Sequence, residues 1–236
     1  MIPKVIHYCW FGGNVLPDSA LKCIESWQKF CPDYEIKEWN EKNYDVNKIQ
    51  YVKEAYQEKK YAFVTDVARL DIVLQEGGIY LDTDVEIVKS LDELLVHEAY
   101  MGMETVGRVN TGLGFGAKKH NQQIKANLEL YTDAKFGDMM TCVTYTTNML
   151  LRLGLKKNNE VQEINGLVIL PTDYLCPLSF ETSNLDITEN TYSIHHYDMS
   201  WKDKKDKFIR LKIVLRRWLG DKVYDSIKNK IGNMRL

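Results

Sequence analysis

Hydrophobic and polar residues follow two alternating periods in the first third of the chain, and these predict strands and helices in turn. The segment from Pro3 to Tyr8 alternates and is rich in branched side chains, and Tyr34 to Trp39 repeats the pattern, so both predict strands. Between them, Pro17-Asp18-Ser19 predicts the start of a helix that runs to about Phe30. Another helix is predicted near residues 52–58.

The next segment carries the strongest local pattern. Residues 62–76 predict a helix, and Gly77-Gly78 is a strong signal for its end. Apolar residues occupy almost the whole circumference of this helix, which is typical of a buried helix. Ile79-Tyr80-Leu81 then predicts a short buried strand, and residues 85–88 predict another.

The remainder of the chain continues the alternation of strands and helices. Strands are predicted near residues 99–103, 113–117, 168–171 and 192–196, and helices near 120–132, 142–153 and in the tail. This order predicts an α/β fold with a mixed, mainly parallel sheet flanked by helices. We expect one domain over residues 1–201 and a basic helical tail over residues 202–236.

Composition narrows the class of protein. The 236 residues are 44% hydrophobic and 27% charged, and a chain of this size buries a core without structural metal or disulfides. The net charge of −2 gives no reason to expect a nucleic-acid partner. The apolar runs are short of a bilayer span, and no secretory signal is predicted at the N-terminus. Five cysteines without a C-x-x-C pair indicate free thiols in a reducing compartment, so the expected location is the cytoplasm.

Charge is distributed unevenly along the chain. Residues 202–235 hold twelve Lys or Arg and four Asp, which gives this tail a net charge of +8 and leaves −10 on the rest. Phe208, Leu211, Leu215 and Trp218 recur at helical spacing within it. The pattern predicts an amphipathic basic helix. This helix either packs on the domain formed by residues 1–201 or attaches to anionic lipids at the inner face of the cell membrane.

Candidate chemistry begins with two carboxylates that follow a predicted buried strand. Asp82 and Asp84 are two residues apart, so on an extended backbone they point to the same side. Their charges repel unless a cation neutralises them, and Mg²⁺ or Mn²⁺ takes such oxygen ligands together with phosphate oxygens. The alternative is a solvated turn, because the D-x-D pattern is short.

The helix before this strand carries two charges inside its apolar surface. Asp66 and Arg69 are three residues apart and share one face. Burying charge without a partner is costly, so they form an internal ion pair or project into a polar site. Asp71 lies on the opposite side, where a structural role is expected.

Three segments resemble a known family. IPKVIHYCWFGG, FVTDVARLDIVLQEGGIYLDTDVEIVKSL and IHHYDMSW resemble the DXD-containing glycosyltransferases of family 32, which include bacterial capsular and lipopolysaccharide enzymes and yeast initiating mannosyltransferases. The central stretch also resembles the glucosyltransferase domains of clostridial toxins. The resemblance implies a GT-A fold, a nucleotide-sugar donor, a divalent metal, retention of anomeric configuration, and a glycan or lipid-linked acceptor in cell-surface polysaccharide synthesis.

The same resemblance implies roles for individual residues. Asp66 and Arg69 match the donor-binding acid and base, Asp82 matches the first DXD acid, and Asp84 matches the direct metal ligand. Arg69, Asp82 and Asp84 are therefore the expected catalytic residues. Trp10 is expected in the nucleotide pocket or, alternatively, in the core.

The C-terminal motif and one central segment complete the predicted site. His195 or His196 is expected to complete the metal shell or to bind the diphosphate, and because adjacent strand residues face opposite ways, we expect only one of them to enter the site. Ser200 and Trp201 are expected to close over the diphosphate. Asn110-Thr111-Gly112 is expected to form a loop that lines the sugar.

Two other functions remain open at this point. An aspartyl phosphohydrolase also places a D-x-D after an apolar strand, but Glu86 stands where that motif favours a small or branched residue. A non-catalytic sugar-binding or scaffold protein is the other alternative. The presence of the acids that match the family's donor-binding and DXD positions argues against it.

Overall fold

The computed structural model describes residues 1–137 and 140–198. The predicted tail, Ser200 and Trp201 lie outside the described residues. All five cysteines lie within them, and each is a buried free thiol, as predicted. In the described ranges, no helix combines the length and hydropathy needed to cross a bilayer.

The described part of the chain alternates strands and helices. The strands are β1 Val5–Cys9, β2 Glu35–Trp39, β3 Gly78–Tyr80, β4 Val85–Ile87, β5 Ala99–Thr105, β6 Arg108–Ala117, β7 Gln162–Ile164, β8 Leu167–Leu170 and β9 Ser193–His195. The helices are α1 Asp18–Phe30, α2 Gln50–Gln57, α3 Tyr61–Glu76, α4 Gln122–Glu129, α5 Cys142–Arg152 and α6 Thr172–Leu175, with a 3₁₀ turn at Asp92–Val96.

Seven of these strands form one mixed sheet in the order β2-β1-β3-β6-β5-β8-β7. The pairs β1–β2, β1–β3 and β5–β8 are parallel, whereas β6 and β7 run antiparallel to their neighbours. Five of the seven strands therefore point the same way, which confirms the predicted mixed, mainly parallel sheet. Strands β4 and β9 form a separate antiparallel pair.

Two hydrophobic clusters cover the sheet on opposite faces, because successive residues of a strand point to opposite sides. Met101 belongs to the cluster that contains α2, α3 and α5, and its neighbour Tyr100 belongs to the cluster that contains α1. Helix α3 is buried along most of its length. The prediction of a buried helix from its apolar circumference is confirmed.

One predicted element is wrong. Asn110-Thr111-Gly112 was expected to be a loop, but these residues lie inside β6, which begins at Arg108. Asn110 stands opposite Gly102 of β5. Pairing with β5 determines this extended conformation, and the local composition of Asn, Thr and Gly, which is typical of turns, does not reveal it.

Candidate active site

The loop between β3 and β4 presents Asp82 and Asp84 at the carboxyl end of β3. The Leu81 amide donates a hydrogen bond to the His7 carbonyl (3.0 Å), and the Val85 amide donates to the Asp82 carbonyl (3.1 Å). Helix α1 fixes the far end of the loop, since the Trp27 indole N–H donates to the Val85 carbonyl (2.7 Å). The loop is therefore held to the sheet on one side and to α1 on the other.

Strand β9 brings one histidine to this loop. Its pairing with β4 places His195 opposite Val85, and Nε2 of His195 lies 3.3 Å from Oδ1 of Asp84. The Asp198 amide donates a hydrogen bond to Oδ2 of Asp84 (2.8 Å). His196 faces away and contacts Glu86, with 2.8 Å between Nε2 and Oε2. Strand alternation thus brings His195, and not His196, to the two acids.

Helix α3 supplies the other side of the site. Nη2 of Arg69 lies 2.9 Å from Oδ1 of Asp66 and 3.3 Å from Oδ1 of Asp82, and the Tyr80 hydroxyl donates to the same Asp82 oxygen (2.9 Å). The side chains of Arg69 and Asp66 are only 4% and 15% exposed. The sequence left open whether Asp66 and Arg69 form an internal ion pair or project into a polar site. The structure combines the two, because the ion pair also contacts the DXD loop.

Asp71, on the opposite side of α3, has a different partner. Its carboxylate is buried and accepts from Nζ of Lys48 at 2.7 Å. This contact ties α3 to the segment before α2, as expected for a structural residue.

Strand β6 lies beneath the acids. The Gly112 amide donates to Oδ1 of Asn110 (2.7 Å), and Nδ2 of Asn110 donates to Oε2 of Glu104 (3.0 Å). A Cβ on Gly112 would stand 3.0 Å from Nη1 of Arg69 and would overlap Oδ2 of Asp82. The absence of a side chain at this position leaves the space in which α3 and the DXD loop meet.

Comparison with known proteins agrees with this geometry. The family model described as "Glycosyltransferase sugar-binding region containing DXD motif" matches residues 17–101. An uncharacterized glycosyltransferase of Acanthamoeba polyphaga mimivirus is 32% identical over 211 residues, which cover 85% of this chain and 84% of that protein. This chain belongs to the DXD-containing glycosyltransferase family.

Two further proteins are similar to this chain over a smaller share of their own length. Inositol phosphoceramide mannosyltransferase 3 of Schizosaccharomyces pombe is 32% identical over 128 residues, which are 50% of this chain and 34% of that protein, so the chain spans about a third of the length of this relative. The solved structure of the PaToxG glycosyltransferase superposes with a TM-score of 0.51 at 21% identity, over 64% of this chain and 68% of that one. This likeness supports the predicted GT-A type of fold.

The family's DXD acids here have an arrangement suited to a cation. Asp82, Asp84 and His195 each offer one ligand atom, and these atoms lie within 4.8 Å of one another. Two carboxylate oxygens and one imidazole nitrogen fit a divalent cation by the chemistry of the donor set. Asp82 and Asp84 are the predicted ligands, and His195 is the histidine that the geometry selects.

Asp82 and Asp84 differ in the direction in which their surroundings shift the pKa. Burial raises the pKa of Asp82 to about 6, against the opposing charge of Arg69. Burial acts in the same direction on Asp84, but the nearby His195 and the Asp198 amide outweigh it and lower the pKa of Asp84 to about 2. Burial lowers the pKa of His195, and Asp84 reverses the shift and raises it. Asp84 therefore favours its ionised form, whereas Asp82 binds a proton more readily.

Trp10 lies at the same edge of the sheet, directly after β1, which neighbours β3. Its indole N–H donates to the Asn14 carbonyl (2.6 Å), and the ring is half-buried against the α1 side of the core. The expected contact with a nucleotide stays a prediction.

Sequence reasoning named Gly112 only as part of a loop that lines the sugar, and it did not name Glu104, the partner of Asn110. The role of Gly112 depends on the approach of β6 to the DXD loop, where the Asp82 amide lies 3.4 Å from the Gly112 carbonyl, and that of Glu104 depends on the pairing of β5 with β6. No local signal in the sequence identifies them.

Proposed function

We propose that this protein is a metal-dependent glycosyltransferase that moves a sugar from a nucleoside-diphosphate sugar to a hydroxyl of a glycan or lipid-linked acceptor. The observation that carries the proposal is the convergence of Asp82, Asp84 and His195 within 4.8 Å of one another. The adjoining Arg69, held between Asp66 and Asp82, adds a fixed positive charge.

In this proposal Asp82, Asp84 and His195 hold Mn²⁺ or Mg²⁺. When bound, the ion supplies positive charge for the diphosphate of the donor, where negative charge develops as the sugar leaves. The hydrogen bond from the Asp198 amide fixes the Asp84 carboxylate, so that a cation would meet a ligand that is already oriented.

Arg69 and Asp66 serve the donor in different ways. The Arg69 guanidinium is anchored by the Thr65 carbonyl (3.1 Å) as well as by Asp66 and Asp82. It therefore acts as a preoriented cation for the sugar or the leaving phosphate. The Asp66 carboxylate accepts hydrogen bonds from sugar hydroxyls. The buried amide of Asn110 adds a polar group below the sugar.

The remaining parts of the proposal are supported by the resemblance to the family and by the composition of the tail. Trp10 stacks on the base, and Ser200 and Trp201 close over the diphosphate. The catalytic domain comprises residues 1–201, the reaction retains the anomeric configuration, and the product belongs to a cell-surface polysaccharide. The basic tail, residues 202–236, attaches the protein to anionic lipid at the cytoplasmic face of the membrane.

A screen of UDP- and GDP-sugars tests the activity. Purified protein with Mn²⁺ or Mg²⁺ is expected to release UDP or GDP from at least one donor, to stop in EDTA and to resume when metal is restored. Asp84→Asn should abolish this release, whereas Glu86→Gln, two residues along the same chain segment, should keep it. NMR of the first product reports whether the anomeric configuration is retained. Release of nucleotide by Asp84→Asn in EDTA at the wild-type rate would contradict the proposal.

A further inference from the structure

His7 is a fully buried histidine at the junction of α3 and β3. It lies in the middle of β1 and has no exposed surface. Nε2 of the ring lies 2.8 Å from the Gly77 carbonyl oxygen, and the Trp39 indole N–H donates to Nδ1 (3.1 Å). Both ring nitrogens therefore have a partner, one directly after α3 and one on β2.

These two partners determine which ring nitrogen carries the proton. An indole N–H can only donate, so Nδ1 of His7 must be the unprotonated nitrogen. The single ring proton is then on Nε2, which donates to the Gly77 carbonyl. A second proton on Nδ1 would set this atom, as a donor, against the Trp39 donor. The arrangement therefore suits only the uncharged ring.

The ring is packed directly against the backbone of Gly78. A Cβ at this position would stand 2.8 Å from Nε2 of His7 and 2.8 Å from the Val5 carbonyl oxygen. The φ angle of Gly78 is +101°, a conformation that favours glycine. The turn between α3 and β3 and the His7 ring therefore fit closely together.

His7 also contacts the other end of β3. Its carbonyl oxygen accepts a hydrogen bond from the Leu81 amide (3.0 Å), and Leu81 directly precedes Asp82. The contact between Nη2 of Arg69 and Oδ1 of Asp82 (3.3 Å) joins α3 to the residue that follows this end of the strand. The geometry of that contact therefore depends on how α3 and β3 are joined, which is where the His7 ring lies.

The charged and titratable groups around His7 lie on β2, α3 and β3. Lys37 pairs with His7 across β2, Glu35 is on the same strand, Glu76 ends α3, and Tyr80 stands opposite His7 on β3. Nζ of Lys37 lies 3.6 Å from Oε1 of Glu35 and 3.8 Å from Oε2 of Glu76, so these charges offset one another. Burial is the largest influence and lowers the pKa of His7, although the hydrogen bond to the turn opposes it.

We propose that His7 is a positioning residue of the candidate active site and performs this role only while its ring is uncharged. The ring holds the junction of α3 and β3 in the geometry in which Arg69 meets Asp82. A proton on Nδ1 breaks the contact with Trp39 and loosens this junction. The effect on activity rests on the proposed glycosyltransferase function, whereas the state of the ring is independent of it.

Urea unfolding of the full-length protein at about pH 7.5 and about pH 5.5, on either side of the ordinary histidine pKa of about 6.5, tests the state of the ring. In the wild type the unfolded chain gains a proton at His7 as the pH falls and the folded chain does not, so stability is lost. The unfolding equilibrium constant should rise about five- to tenfold more for the wild type than for His7→Gln, which does not titrate. His120→Gln, at an exposed histidine, should keep the pH dependence of the wild type. Equal pH dependence of the wild type and His7→Gln overturns the inference.

Mn²⁺ titration at about pH 7.5 tests the positioning role. His7→Phe keeps a ring but removes both hydrogen bonds, and it should weaken Mn²⁺ binding at least about fivefold, because Asp82 loses its support. His7→Gln should bind within about twofold of the wild type, since its amide can donate to the Gly77 carbonyl. Ile169→Ala opens space in the core at β8, three strands away from β3, and should change stability without changing Mn²⁺ affinity.

Two further outcomes separate positioning from general support of the fold. Wild-type Mn²⁺ affinity in His7→Phe, or an equal loss in Ile169→Ala, overturns the inference. The ratio of kcat/KM for nucleotide release between His7→Gln and the wild type should rise as the pH falls. Absence of both Mn²⁺ binding and nucleotide release in the wild type marks a failure of the proposed function instead, and it is recognised without reference to the His7 variants.

Discussion

Replacing Gly112 by alanine perturbs the meeting point of α3 and the DXD loop. The added Cβ would stand 3.0 Å from Nη1 of Arg69 and 3.1 Å from Oδ1 of Asn110, and it would overlap Oδ2 of Asp82. Ordinary contacts between nonbonded heavy atoms lie near 3.5–4.0 Å. The backbone of Gly112 is not left-handed, so the conflict is one of space alone.

The magnitude follows from which groups must move. Inserting a methyl group into a filled interior costs about 1–3 kcal/mol. Here the displaced atoms are the functional ends of Asp82 and Arg69 rather than the core. If this cost falls on donor and metal binding, it lowers kcat/KM. Because 1.4 kcal/mol corresponds to a factor of ten, a cost of about 1–3 kcal/mol corresponds to a decrease of about 5- to 150-fold.

Gly116 provides a matched control on the same strand. A Cβ there would lie 2.6 Å from Cε1 of Tyr100 and 3.2 Å from Cγ1 of Ile79, both in the hydrophobic core. Gly116→Ala therefore creates a comparable conflict about 13 Å further along β6, at about 3.3 Å per residue. It should lower Tm without a selective loss of activity.

The assay compares Tm, Mn²⁺ affinity and nucleotide release for the wild type and both variants. We expect Gly112→Ala to lose metal affinity and kcat/KM beyond what its Tm explains, and Gly116→Ala to lose only Tm. If both variants lower Tm equally and both retain wild-type metal affinity and turnover, the assignment of Gly112 as the space for Asp82 and Arg69 is refuted.

Three further predictions test separate parts of the site and chain. His195→Ala should weaken Mn²⁺ binding at least tenfold by titration, whereas His196→Ala should leave it within twofold; equal losses would contradict the selection of His195. Asp66→Asn should reduce kcat/KM at least tenfold, whereas Asp71→Asn should lower the free energy of unfolding by about 1–3 kcal/mol in urea and leave turnover intact; the reverse pattern would make Asp66 a structural residue. Full-length protein should sediment with vesicles of anionic lipid at low salt and not at high salt, and a chain ending at residue 201 should stay in the supernatant; a soluble full-length protein at low salt would exclude membrane attachment.

Local pattern accounts for most of the fold that the sequence predicted. Helix α3 was expected over residues 62–76 and spans Tyr61–Glu76, and the strand expected over residues 34–39 spans Glu35–Trp39. These elements have a clear period and a clear end signal such as Gly77. The first half of β6 and the short β7 were not predicted, because neighbouring strands determine them and their own composition gives no clear strand pattern.

The candidate site was predictable where one element carries its residues. Asp66 and Arg69 share a helix, and Asp82 and Asp84 share a loop, so spacing alone brings each pair together. The choice between His195 and His196 needed the register of β9 on β4, a long-range pairing between residues about 110 positions apart. Glu104 needed the pairing of β5 with β6 and was not found from the sequence.

The two DXD acids contact different parts of the fold, and this division explains why their pKa values shift in opposite directions. Asp82 faces the seven-stranded sheet and α3, where Arg69 and Tyr80 contact it in a buried setting. Asp84 faces the two-stranded β4–β9 unit, where His195 lies beside it. Burial raises the pKa of Asp82 to about 6 and the charge of Asp84 adds to this shift, whereas His195 and the Asp198 amide lower the pKa of Asp84 to about 2. The short loop between the two sheets can therefore hold both acids close together in advance of the ligand, because Arg69 of α3 lies beside Asp82 and His195 of β9 lies beside Asp84.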